Sequence, residues 1–259
     1  MIQERRLVRE RFRHTGLAEN QYRRTLVSVA EQVDSLIKGM MPVSLRNLPR
    51  LHEVMRQYSD ALRPWALSIT QKMHLDVSNR DLKAWTDLGR SVGHELRPRL
   101  LHTDIVLRNL LSEQVDLITG IPLEAYNRVS GYAQRMFSEG IDYTDEILRT
   151  GSVAMGRSNF LAITSARRAS SLVTETRAES VGSTSYIWRT RLDTNVRQLH
   201  RELEGQVILW GSPPVSGDNG QRAHAGAIYL CRCWPEPILP DVIGGHYAIA
   251  RGIEQGSYQ

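Results

Sequence analysis

The hydrophobic pattern changes period near Gly182, and that change limits the fold more than any other feature of the chain. Before it, apolar residues recur at steps of three and four, the spacing of an amphipathic helix. After it, they come in short runs bounded by Gly, Pro, Asn and Asp, the pattern of brief strands joined by turns. A chain built this way is α+β: a helical N-terminal bundle followed by a small β-containing C-terminal module. The expected division is a helical domain over 1–141, a helical connector over 142–182, a compact module over 183–240 and a tail over 241–259.

Within the helical part, Tyr22, Leu26, Val29, Ala30, Val33, Leu36, Ile37 and Met40 predict a first helix, which Gly39 and Pro42 end. Leu51 to Ile69 spells a second, which Pro64 should kink or divide by removing a donor. Asp76 to Asn79 reads as a turn, and Leu82 to Leu96 as a third helix. Ile105 to Ile118 is apolar on more than one side, which predicts a central position, with Gly120 and Pro122 as its stop. Leu123 to Phe137 gives a fifth helix, and the Ser-, Thr-, Ala- and Gly-rich stretch after Asp142 a set of connecting helices. Strands are expected at Tyr186–Trp188, Val207–Trp210 and Ile228–Cys231, and a loop over Ser212–Gly220.

Composition excludes several classes. No run of about 18 apolar residues occurs, so no membrane span is expected. The charged N-terminus lacks the apolar core of a signal peptide. The only two cysteines, Cys231 and Cys233, flank a single residue, which is poor geometry for bridging each other and leaves no disulfide framework. The formal charge of +5 suits an acidic neighbour. Arg5, Arg6, Arg9, Arg11 and Arg13 read as a basic arm for nucleic acid or as a solvated helix face beside Glu4 and Glu10.

The chemistry gathers between Tyr186 and Pro237. His200, His224, Cys231 and Cys233 supply four donors of the types zinc takes, and Asp193 offers a fifth. Two readings stay open: a structural zinc site, or a core without cofactor in which Cys231 is a small buried residue and the histidines are hydrogen-bonded. Catalytic motifs fail. His94-Glu95 lacks the second His of a zincin, there is no P-loop or G-x-G-x-x-G, and a Ser183, His200, Asp193 triad has no nucleophile elbow. The enzymatic alternative is a metal-dependent hydrolase or nuclease built on Asp193, His200 and His224. Trp188, Trp210 and Trp234 read as core aromatics, or as stacking platforms for single strands.

The ordered run Thr174-Glu175, Trp188, Asp193-x-x-x-Arg197-x-x-His200, Gly205, His224-x-Gly226 and Cys231-Arg232-Cys233 resembles the phage Mu F-like family of minor head proteins, also called head morphogenesis proteins. The likeness covers roughly residues 150–237. It departs from the family at Val173, where an Arg is usual, and at Ala225, where a Pro is usual. The resemblance implies a non-enzymatic protein of tailed phages, found in the virion at the capsid interior or portal vertex and in the host cytoplasm during assembly. Its implied partners are the portal protein, the major capsid or scaffolding protein and packaged DNA, with no membrane. Its implied work is procapsid assembly and DNA packaging or ejection, with the motif residues holding the module together. Relatives with toxin or enzyme domains carry them after this module, and the few residues beyond Pro237 lead us to expect none here.

Overall fold

The computed structural model describes residues 10–13, 16–93, 96 and 103–240. The chain is α+β; among the described residues there are four long helices, α1 (Gly16–Lys38), α2 (Leu48–Ser91), α3 (Asp104–Glu139) and α4 (Thr144–Ser180). These precede β1 (Ser185–Arg189), the short α5 (Gln198–Leu203), β2 (Val207–Leu209) and β3 (Trp234–Ile238). The expected tail and His94-Glu95 lie outside the described residues, as do Arg5, Arg6 and Arg9. Two compact units result: one from 16–74 and 109–166, the other from 1–15, 75–108 and 167–259.

The described residues of the first unit form helices joined by short turns. α1 buries Tyr22, Leu26, Val29, Ala30, Val33 and Ile37, the stripe its spacing predicts, and the Tyr22 hydroxyl meets Thr70 Oγ1 at 2.9 Å. The prolines do not stop the helices that hold them. Pro64 lies inside α2 on its exposed side, so the carbonyl its missing N–H would have served faces water. Pro122 lies inside α3, and the Thr119 carbonyl in the preceding turn accepts the Ser59 hydroxyl at 2.6 Å. α3 is not central in its first half. Ile105 is 76% exposed, and the buried stripe is Leu110, Gln114, Val115 and Ile118. The expected set of connectors is the single helix α4, begun by Asp142, whose carboxylate accepts the Thr144 N–H at 2.9 Å. Its small residues are contact residues, because Ala154, Ser158, Ala162 and Ser165 are buried and a side chain on Gly151 would collide with Asp34.

In the second unit a three-stranded antiparallel sheet has the order β2-β1-β3. The third strand is not the expected Ile228–Cys231, which forms a turn, but Trp234–Ile238, which contains two prolines. Register explains why prolines are tolerated. The Trp188 N–H and carbonyl bond to Gln206 and Gly205 on the β2 side, so its opposite partner Pro235 is not required to donate. Pro237, facing Tyr186, occupies the next equivalent position. Both prolines thereby sit on an outer strand. Beneath the sheet, Trp85, Leu88, Ala178, Tyr186, Trp188, Trp210, Cys231, Cys233 and Trp234 belong to one buried cluster. The three tryptophans of the module are core residues.

α4 leaves its last turn through Gly182, at φ +81, with the Ser183 N–H reaching back to the Ala178 carbonyl at 2.9 Å. One turn earlier a buried polar group fixes α4 to α2. Arg177 Nη1 binds Asp81 Oδ2 at 2.8 Å and the Ser78 carbonyl at 2.7 Å, while the Thr174 hydroxyl donates to Asp81 Oδ1 at 2.6 Å. This is why Asp76–Asn79 is helix rather than turn: its polar run continues into an anchoring face. Burial pushes the Asp81 carboxyl up, against the opposing pull of Arg177 and Thr174. The pair therefore adds little stability over an apolar substitute, but breaking it leaves a buried charge alone. Asp81→Ala is expected to lower the unfolding free energy in urea by about 3–5 kcal/mol, and a joint Asp81→Leu, Arg177→Met replacement to recover most of that loss.

Candidate functional site

The segment from Ile228 to Cys233 is a tight turn that carries both cysteines. The Cys231 N–H bonds to the Ile228 carbonyl at 3.1 Å, and Leu230 takes φ +53, a conformation that bulky residues rarely adopt. Arginines hold it there. Arg197 donates to the Tyr229 carbonyl at 3.2 Å and lies over the Tyr229 ring at 4.9 Å. Arg167 Nη1 donates to the carbonyls of Leu230 and Cys231, both at 3.2 Å. Arg232 pairs in a fork with Asp193, at 2.8 and 3.1 Å. Asp193 also accepts the Asn195 N–H at 3.1 Å, which starts the bend leading into α5.

This turn delivers the two sulfurs to His200 on α5. His200 Nδ1 is 3.5 Å from Cys231 Sγ and 3.4 Å from Cys233 Sγ, while Nε2 lies 2.8 Å from the Ser216 carbonyl. All three residues are buried. The Cys233 N–H also points at Cys231 Sγ, 3.4 Å away. Trp188 packs edge-on to the imidazole at 5.4 Å. Its indole N–H has no oxygen partner among the described residues and favours the ionised form of Cys233. Burial would raise the Cys231 thiol, but the Cys233 and His200 side chains overcome it and hold Cys231 well down. Cys233 is pushed up by its bond to Cys231 and by burial. His200 is raised: burial pulls it down, and the neighbouring Cys231 outweighs that.

His224 does not join this cluster, and neither does Asp193. His224 Nδ1 is 3.2 Å from the Tyr186 hydroxyl, which also accepts the Ala225 N–H at 3.3 Å. The Ser171 hydroxyl donates to the Ala225 carbonyl at 2.7 Å. Gly226, at φ +87, completes a turn closed by the Ala227 N–H on the His224 carbonyl, a position that favours Gly. Gly205, at φ +82, does the same work after α5 and donates to the Trp188 carbonyl at 2.8 Å. Arg11 and Arg13 are engaged within their own unit: Arg11 with the Ser91 hydroxyl at 3.2 Å, Arg13 with Glu10 at 2.9 Å and over the Trp234 ring at 5.9 Å.

The motif residues thus form two connected groups, one around His200 and the cysteines and one around His224. Sequence reading missed Arg167, Asp81, Arg177 and the Ser216 carbonyl. Arg177 had a faint signal, one helical turn after Thr174; a backbone acceptor such as Ser216 has none.

Glu175 lies 3.5 Å from His224 Nε2. Burial, helped by Glu179, raises its carboxyl to about 7, and burial lowers His224. Between its ordinary value of 4.5 and about 7 the folded chain holds more protons at Glu175 than the unfolded chain. Its contribution is therefore complete below about 4.5 and is lost as pH rises through about 7. Glu175→Gln should flatten the decline of the urea midpoint across this window, measured side by side with the wild type.

Residues 134–235 match the family described as Phage Mu protein F like protein. Over 160 residues the chain is 26% identical to a Haemophilus influenzae protein described as an uncharacterized protein. That alignment takes in 60% of this chain and 35% of the relative, so the chain spans about a third of that protein's length. No solved structure matches.

Proposed function

We propose, from the membership of residues 134–235 in the Phage Mu F-like family, that this protein is a minor head protein which associates with the portal and capsid interior of a tailed phage. The family implies a phage head morphogenesis protein of structural type, working in the virion. In our reading it assists procapsid assembly and the packaging or ejection of DNA, with the portal protein as its first partner and the major capsid or scaffolding protein as its second.

One observation carries this reading: the family match falls on a motif several of whose charged groups are engaged by neighbours in the same module. Asp193 is occupied by Arg232, Arg197 by the Tyr229 carbonyl, and His224 by Tyr186. Groups used this way shape a rigid surface and leave few free for a substrate. A hydrolase or nuclease on Asp193, His200 and His224 lacks support on the same ground, since these three do not converge. Among the described residues no helix is long and apolar enough to cross a membrane.

Co-expression with the portal protein of the same phage tests the proposal. The chain should co-elute with portal oligomers and be retained in purified procapsids. A chain that stays apart from portal and procapsid alike would sink it. Incubation with DNA and divalent metals should give no cleavage.

A further inference from the structure

We propose that His200, Cys231 and Cys233 hold a structural zinc ion that clasps α5 to the turn leading into β3. The site goes beyond the assembly role and does not depend on it.

The geometry is the first argument. The three donor atoms lie within 4.8 Å of one another. Zinc bound at about 2.3 Å to sulfur and about 2.0 Å to nitrogen, with tetrahedral angles, sets each sulfur about 3.5 Å from the nitrogen. The observed separations are 3.5 and 3.4 Å. A single thiol–imidazole hydrogen bond needs only one sulfur at that range, whereas a chelate needs both. The imidazole is also oriented for ligation. Its Nε2 sits 2.8 Å from the Ser216 carbonyl, so the ring proton belongs there and the Nδ1 lone pair faces the sulfurs.

Charge is the second argument. Two thiolates and a divalent ion sum to zero, which a fully enclosed site requires. All three ligands are buried, with Cys233 at 0% exposure. The Cys233 N–H directed at Cys231 Sγ and the Trp188 indole N–H, which lacks an oxygen partner among the described residues, supply the donors that a metal-bound thiolate collects. The elements joined give the third argument. α5 is only six residues long, and the turn at Leu230 is held in an unfavourable backbone conformation. A metal bond between them stabilises two segments that have little regular structure of their own. His224 is excluded by its bond to Tyr186. Three protein donors leave the fourth position to a donor outside this set, and burial marks the site as structural rather than catalytic.

The test uses the full chain, with its purification tag removed, from zinc-supplemented cells in reducing buffer. Elemental analysis should find close to a molar equivalent of zinc, and chelator should remove it and lower the melting temperature. Cobalt(II) added to the stripped protein should give strong thiolate-to-cobalt absorption. Cys231→Ser and Cys233→Ser should each lose most of the bound metal, while His224→Gln keeps it. A wild-type chain that carries no zinc and shows no cobalt absorption overturns the proposal even if the cysteine variants fail to fold. So does a double cysteine variant that retains wild-type zinc, because the metal then sits elsewhere. A wild-type chain isolated without zinc that still binds portal would overturn the clasp alone and leave the assembly role standing.

Discussion

The turn at Leu230 is the constraint on which the C-terminal module depends. A leucine at positive φ costs free energy wherever it occurs, so something must hold the chain there. The consecutive carbonyls of Tyr229, Leu230 and Cys231 each accept a guanidinium N–H, from Arg197 or Arg167. These contacts come from two directions in the chain, the body of α4 and the residue that caps the start of α5. Only with the turn closed do Cys231 and Cys233 both face His200, and only then does β3 begin where it can pair with β1. The place of β3 in the sheet and the approach of both cysteines to the imidazole share one sharp bend.

The same economy runs through the rest of the unit. Polar groups that look reactive in isolation are consumed as structural partners. Asp193 and Arg232 fix each other, His224 and Tyr186 fix the turn at Gly226, and Asp81 and Arg177 fix α4 against α2. For the buried Asp81–Arg177 pair, desolvation offsets much of the attraction, so its net contribution to stability is small.

Helix positions were legible from the sequence to the extent that burial is periodic. The stripe from Tyr22 to Ile37 is in α1 as expected, and the first two strands lie where short apolar runs placed them. Helix ends inside α2 and α3 were misplaced at Pro64 and Pro122. Local chemistry favours a break at both, yet both helices continue, with Pro64 on an exposed face and the Ser59 hydroxyl bonded to the Thr119 carbonyl in the turn before Pro122. β3 was missed because two prolines argue against a strand, and their harmlessness follows only from the register with Trp188 and Tyr186. The Ser- and Ala-rich stretch of α4 looked like connecting segments because small residues carry little periodic signal, although close packing is what they permit.

By itself the sequence determined the α+β class, the change of texture at Gly182, and the ordered motif from Thr174 to Cys233, which lies within the stretch that matches the family described as Phage Mu protein F like protein. These depend on residue type and short-range spacing, which a linear reading contains. Tertiary structure alone decided which motif residues act together. His200 and the cysteines, 31 and 33 residues apart, converge because arginines close the turn between them, while His224, nearer the cysteines in sequence, is drawn away to Tyr186. Spacing along a chain cannot rank such partners, since hydrogen bonds and ion pairs are won by direction and distance after folding. The segment that gathers every cysteine is thus a clasp whose members the sequence named and the fold selected.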